Sequence, residues 1–301
     1  MSSQNLSPQS SKYKAVNWIL LVLCAIIWGF SYFLIKHALI GFEPMQVADL
    51  RMLAGGITLL PFLYLAFKKV PPNKYFYVFI CSVVGSGIPI YLYPLAQTHI
   101  SSSITGIINS LTPLCTYLIG ILFFRLPNKK TKLIGVLIGL LGAVSLILFK
   151  PQNELRADFF FLCIALTVPF MYGLSSNVLK KHLMGIPSLP LTSMMYFMLL
   201  IPSIPLFFIT DIPNQFKTEP LAREALPYAL LLGVFGTAVA MSLFNILIQR
   251  AHIMFAASVT YLMPIVAVFI GILDKENIGW HDYLGLGLIL FGVILINRVK
   301  E

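Results

Sequence analysis

The 301-residue chain is 58% hydrophobic and only 11% charged, with a mean hydropathy of +0.87. A soluble domain is typically about 25% charged and could not bury so much apolar surface, so the composition excludes a water-soluble fold and points to the bilayer. The net charge of +10 does not point to nucleic acid, because the basic residues sit in short loops between apolar runs, the placement that orients a membrane protein.

Residues 1–16 read as a polar cytoplasmic tail, and no A-x-A-like cleavage site accompanies the apolar run that follows, which is therefore a first span and not a signal peptide. Ten spans follow in order: 17–36, 46–67, 75–96, 102–124, 132–149, 158–179, 190–209, 226–248, 254–273 and 281–297. Each is long enough to cross roughly 30 Å of hydrocarbon as a helix. They are continuous apolar runs, not the alternating segments of about 10 residues that barrel strands need. The expected class is an all-α integral membrane protein with ten transmembrane helices. The longest connections, 150–157 and 210–225, are too short for a soluble domain. Cys24, Cys81, Cys115 and Cys163 each stand alone inside an apolar run and read as small buried hydrophobes; no metal site, cofactor or disulfide framework is implied. With the N-terminus inside, fourteen of the 21 Lys and Arg fall in cytoplasmic segments and six outside, so a multi-pass protein with both termini cytoplasmic is expected.

Residues 110–122 read SLTPLCTYLIGIL and residues 261–273 read YLMPIVAVFIGIL, 151 positions apart. At the same offset Val83 meets Val234, Gly85 meets Gly236, Pro113 meets Pro264 and Gly120 meets Gly271; at 150, Gly135 and Gly142 meet Gly285 and Gly292. Phe30 and Tyr32 meet Phe170 and Tyr172 at 140. Glycine and proline set backbone geometry, so matched ones suggest matched geometry. The chain thus divides into repeats 17–149 and 158–298, joined by a linker at 150–157. Five spans per repeat is an odd number, so the second copy enters the membrane from the opposite side, the inverted repeat of many secondary transporters. Pro113 and Pro264 are expected to kink spans four and nine and to free the carbonyls of Asn109 and Thr260, tolerable at that depth against protein or a watery cavity.

Trp28-Gly29-Phe30-Ser31 with Ile35-Lys36, Leu50-Arg51-Met52-Leu53, Leu111-Thr112-Pro113-Leu114 and Tyr261-Leu262-Met263-Pro264 resemble, in this order, motifs of the EamA-type drug/metabolite transporters. The resemblance covers about residues 17–297. It implies ten helices in an inverted repeat, export or exchange of small metabolites such as amino acids, and a central cavity lined by spans one, three, four, six, eight and nine. The chain departs from the family pattern after span four, where Phe124-Arg125-Leu126 has no acid, and before the ninth-span proline, where Met263 replaces the usual Glu.

No nucleophile–base order, metal spacing or paired carboxylates support catalysis, and the chain is not expected to be an enzyme. The eleven acids lie in loops or near span ends, which disfavours a carboxylate-driven proton pump and leaves Asp49 as the one exception. Arg51 is about five residues into span two, roughly 8 Å at helical rise. Two roles are open to it: binding an anionic group in the cavity, or a structural one, snorkelling or partnering Asp49 or a freed carbonyl. Trp28 and Tyr32 form an aromatic stripe that either stacks on solute or fills space, and Tyr172 shares that choice. Tyr91, Asn109, Asn177, Asn245 and Thr260 complete the candidate lining, as polar groups in lipid turn inward. The glycines of spans five and ten suit close packing or a homodimer face, leaving monomer and homodimer both open. The expected protein is a secondary carrier, an exporter or exchanger moving small organic solutes by alternating access in the plasma membrane, a bacterium's inner membrane. The alternative is a lipid-handling membrane protein, either a flippase or a membrane enzyme.

Overall fold

The computed structural model describes residues 8–125, 134–135, 137–139, 141–142, 155–251, 255–256, 259–276 and 279–298. Among them the regular structure is entirely helical. The first four helices are α1 (Pro8–Ala38), α2 (Pro44–Lys69), α3 (Pro72–Gln97) and α4 (Ser102–Phe124). The second group is α5 (Phe159–Leu183), α6 (Ser188–Ile209), a short α7 (Ile212–Thr218), α8 (Pro220–Arg250), α9 (Val259–Leu273) and α10 (Trp280–Arg298). Seven of these, α1 to α6 and α8, are long and apolar enough to cross a membrane; α9 and α10 carry shorter apolar stretches at Leu262–Leu273 and Tyr283–Gly292. The fifth expected span lies mostly outside the described residues, and its described positions are helical. Helix α1 reaches back to Pro8, into the expected tail.

Local sequence explains where helices start and stop. Glu43 and Gln46 form a reciprocal capping box, with Pro44 at the first position of α2. The Ser101 hydroxyl accepts the Ile104 N–H at 3.2 Å to open α4. Helices α4 and α9 end alike, on left-handed residues Arg125 (φ 57°) and Lys275 (φ 58°). Large apolar side chains such as Leu122, Phe123, Phe208 and Ile209 stand exposed on outer faces, as lipid requires and water would not.

The helices pack in matching sets. Helix α1 lies against α9 and α8, while α5 lies against α4 and α3; α2 faces α6. The sequence explains the closest of these approaches. Gly29 of α1 sits on α9 beside Val266 and the Met263 carbonyl; Gly173 of α5 sits on the α4 backbone at Cys115 and Thr116. Each glycine therefore docks just past a proline, Pro264 or Pro113. Helices α3 and α8 each widen into a π turn, at Val83–Gly87 and Val234–Val239, positions 151 apart. Ser175 of α5 packs on Gly85 in one turn, and Ser31 of α1 packs on Gly236 in the other. Helices one and six of the sequence thus correspond at an offset of 144, with Trp28-Gly29 matching Tyr172-Gly173, and not at 140 as the Phe30/Tyr32 match suggests.

The proline of span four does not kink the middle of a helix. The α-helical path breaks at Ser110–Leu111 and resumes at Thr112, so Pro113 occupies a first-turn position, where its missing N–H costs nothing. The Asn109 carbonyl that it frees accepts the Thr112 hydroxyl at 2.7 Å. In α9, Pro264 does lie inside the helix.

A Cβ built on Gly173 would lie 2.8 Å from Thr116 N and 3.0 Å from the Cys115 carbonyl carbon, backbone that cannot swing aside. Gly173→Val should cost about 1–3 kcal/mol, as overpacking does, and should lower the melting temperature in detergent. Gly287→Ala, which meets open space, should leave it unchanged or raise it. Equal melting for both variants would contradict the α4–α5 contact.

Candidate functional site

The helices enclose a chamber with about 110 Å³ available to the centres of water molecules. That is room for several waters or part of a small organic molecule. Of the expected site residues, Trp28, Tyr32, Arg51, Asn109, Tyr172, Asn245 and Thr260 line it. Tyr91 and Asn177 do not. Tyr91 is two residues from Tyr93, so the two face opposite ways on a helix; Tyr93 lines the chamber and the Tyr91 hydroxyl points to Asp49 Oδ1 at 3.4 Å. Asn177 Nδ2 donates to the Thr116 and Gly173 carbonyls at 2.9 and 2.8 Å, tying α5 to α4. Pro113 and Pro264 do not line the chamber, but each is flanked by a lining residue, Thr112 and Met263.

The sequence reading missed Tyr93, Tyr196, Phe244, Ser31, Ser175 and the methionines Met195, Met241 and Met263, all of which line the chamber. The signal was present. At offset 151 Tyr93 meets Phe244, an aromatic pair the repeat would have singled out.

Polar atoms of the lining are tied to one another. The Tyr93 hydroxyl donates to Asn109 Oδ1 at 2.7 Å, and Thr112 reaches the same oxygen at 3.1 Å. Asn109 Nδ2 points to the Met263 sulfur at 3.8 Å. Tyr196 donates to Ser86 at 3.0 Å, and Asn245 to Thr192 at 2.8 Å. Trp28 donates its indole N–H to the Gly236 carbonyl at 2.9 Å and meets Phe244 edge-on, centroids 4.9 Å apart.

Arg51 is the charged member, 8% exposed. Its Nε donates to Thr237 Oγ1 at 2.8 Å and Nη2 reaches the Gly236 carbonyl at 3.5 Å. The π turn of α8 thus supplies both acceptors, a local widening that turns the carbonyl toward the guanidinium. Charge-assisted hydrogen bonds are worth about 1.5–3 kcal/mol each, against several kcal/mol to desolvate the ion. Arg51 thus pairs within the scaffold with a carbonyl of a widened turn, and not with Asp49: that residue, fully buried, is engaged by Tyr91, and its Oδ2 has no hydrogen-bond partner among the described residues.

One end of the bundle is clamped. Lys36 at the end of α1 bridges Asp274 and, at 3.3 Å, Glu276, which follow α9; His37 reaches Asp274 at 3.2 Å. Glu276 also accepts from the Ser102 and Ser103 hydroxyls at 2.5 and 2.6 Å and from the Ser103 N–H at 3.1 Å, at the start of α4. Three chamber helices are thereby pinned together. Burial raises the carboxyl of Glu276, but the serine hydrogen bonds and the Lys36 charge outweigh it and hold the group below its ordinary value. Asp274 is likewise opposed by burial and held low by the hydrogen bonds and charges of Lys36 and His37.

The EamA-like transporter family model matches residues 16–148 and again 159–298. The chain is therefore a membrane transporter in class, and it belongs to the EamA-like transporter family. It is 27% identical to the uncharacterized inner membrane transporter YedA of Escherichia coli K12 over 91% of this chain and 88% of that protein. It is 22% identical to an uncharacterized transporter of Archaeoglobus fulgidus over 94% and 99%, and 21% identical to protein PecM of Dickeya dadantii over 91% and 90%. A solved crystal structure matches 95% of this chain and 97% of its own at a TM-score of 0.64 and 14% identity, a likeness of fold.

Both clamp carboxyls have lowered values, so their contribution to stability is complete above the ordinary carboxylate range, about pH 4, and is lost as pH falls through the lowered values. In detergent, the parent's melting temperature should fall more steeply below about pH 4 than that of Asp274→Asn/Glu276→Gln, which has already lost the clamp. Parallel acid profiles would show that the clamp does not bear on stability.

Proposed function

We propose that the protein is a secondary carrier that presents one central site alternately to the two sides of the membrane, moving a small organic metabolite. The single observation that carries this reading is the pairing of the chamber lining. Twenty of the twenty-four lining residues fall into ten pairs related by the offsets 144 or 151. At 144 the pairs are Trp28/Tyr172, Ser31/Ser175, Tyr32/Ser176, Ile35/Leu179 and Arg51/Met195. At 151 they are Gly85/Gly236, Ile90/Met241, Tyr93/Phe244, Asn109/Thr260 and Thr112/Met263. A chamber assembled from equivalent positions of two repeats is what a two-fold axis through the site would give, and repeats rocking about such an axis open the site first to one side and then to the other.

In this reading the chain has ten membrane helices. A first repeat at 17–149 follows a tail at 1–16, and a second at 158–298 follows the linker at 150–157. Both termini lie in the cytoplasm, and the protein resides in the inner membrane, as the name of the E. coli relative has it for that protein. The clamp supports a resting form closed at the Lys36 end. At the corresponding place after α4 stand Phe124 and Arg125, with no acid, while Lys181 lies over the Phe124 ring at 5.4 Å. Among the described residues that end has no ion-pair lock. The chamber also extends toward it, through Asn245 and Ile248, whose offset mates Pro94 and Gln97 do not line.

The test is purified protein in liposomes, challenged with a panel of labelled small organic solutes with and without a pH gradient. At least one solute should show saturable uptake, and Asn109→Leu, which removes the acceptor shared by Tyr93 and Thr112, should cut that uptake at least about ten-fold, roughly 1.4 kcal/mol of site free energy, with folded protein retained on size exclusion. No saturable uptake of any solute, or undiminished uptake by the variant, would contradict the proposal.

A further inference from the structure

The pairs of the chamber lining are not chemically equal. Arg51 faces its mate Met195, Thr112 its mate Met263, and Tyr93 its mate Phe244. In these three pairs the first half of the chain supplies the cation and two hydroxyls, and the second supplies two thioethers and an aromatic ring; both halves add further hydroxyl and amide groups to the wall. Among the described residues, Arg51 is the only cation on the chamber wall, and no Asp or Glu lines it. The described ion pairs are those of Lys36 and His37, so among the described residues no carboxylate lies within ion-pair distance of the guanidinium. Its Nε and Nη2 have neutral acceptors in Thr237 and Gly236, and no described residue accepts from Nη1. Arginine cannot shed its proton in a protein. The chamber therefore holds one buried positive charge that no carboxylate among the described residues compensates.

We propose that the solute is an organic monoanion, a carboxylate seated on the open edge of Arg51 and joined to an apolar chain or ring packed against Met195, Met241, Met263 and Phe244. The guanidinium fork matches a carboxylate in shape as well as charge. A phosphate ester carries about −1.5 to −2 at pH 7, more than the one described cation of the wall balances. A cationic solute would add a second positive charge there. Methionine side chains and aromatic edges adapt to varied apolar shapes, so charge sets the class and the thioether wall admits more than one member. The inference rests on the carrier reading for its biological sense, but its test needs no transport.

The measurement is equilibrium binding in detergent, read by the fluorescence of Trp28 in a Trp18→Phe/Trp280→Phe background, since Trp28 is the tryptophan on the chamber wall. The probes are two acid–amide pairs: N-acetyl-L-methionine with its amide, and 3-phenylpropionate with 3-phenylpropanamide. For at least one pair the acid should bind at least ten-fold tighter than the amide. Arg51→Met should bring that ratio to near one, and Arg51→Lys should keep part of it. If Arg51→Met does not fold, the parent and Arg51→Lys ratios decide. A ratio near one in the parent, a ratio that survives Arg51→Met, or no saturable acid signal from either pair would overturn the proposal. Acid-selective binding without flux of any solute in liposomes would instead overturn the carrier reading alone.

Discussion

Hydrocarbon offers no hydrogen bonds, and that constraint arranges this protein. A polar group at membrane depth must find a partner in the protein or share an internal chamber. The chain meets the requirement in two ways. Asn177 bonds the backbone of the neighbouring helix, and Thr112 caps the carbonyl freed at Asn109. A second set of polar groups, including Asn109, Tyr93, Tyr196 and Arg51, converges on one cavity. Small residues make the convergence possible. Gly29 and Gly173 let α1 and α5 press onto the backbones of α9 and α4, and Gly85 and Gly236 receive serines from across the bundle. Without those approaches the aromatic side chains at positions 28 and 172 could not reach the same chamber.

Equivalent positions build the chamber, and unequal chemistry gives it direction. A site with identical halves would have no preferred orientation for a solute. Here Arg51 stands opposite a methionine in the pairing, and the hydroxyls of Tyr93 and Thr112 stand opposite Phe244 and Met263. The ends differ as well. Lys36, Asp274, Glu276, Ser102 and Ser103 close one, while the equivalent stretch around Phe124 and Arg125 has no acid. The Lys36–Asp274 pair is partly in water, where ion pairs are individually weak, while Glu276 is buried against Ser102 and Ser103, and together they gather α1, α4 and α9 at once.

Much of this was legible in the sequence. The apolar runs gave the helices, because burying every backbone group in lipid leaves helices as the economical choice for spans of this length. The glycine and proline repeats marked the equivalent helices, since these residues register backbone geometry. Seven of the nine expected lining residues reach the chamber. What escaped has physical reasons. Tyr91 and Tyr93 differ only in which face of α3 they occupy, and a helix whose surroundings are all apolar has too little amphipathicity to tell its faces apart. The 140 offset between Phe30/Tyr32 and Phe170/Tyr172 was an accident of similar apolar letters; Ser31 and Ser175, each against a π-turn glycine, fix the correspondence at 144. The break at Ser110–Leu111 went unseen because a proline at the first turn of a helix and one in its middle look the same in sequence. The methionines were passed over because flexible apolar residues are ordinary core material until they are seen to face a cavity.

The account depends on the two halves lying upside down to each other. Ile40 and Met184 correspond at offset 144, and both are exposed just beyond the ends of their helices, α1 and α5. A single cysteine at each, in a background lacking the four native ones, can be labelled by a membrane-impermeant maleimide applied to right-side-out and to inverted vesicles. The account expects position 40 to react from one side of the membrane only and position 184 from the other side only. Labelling of both from the same side would contradict it.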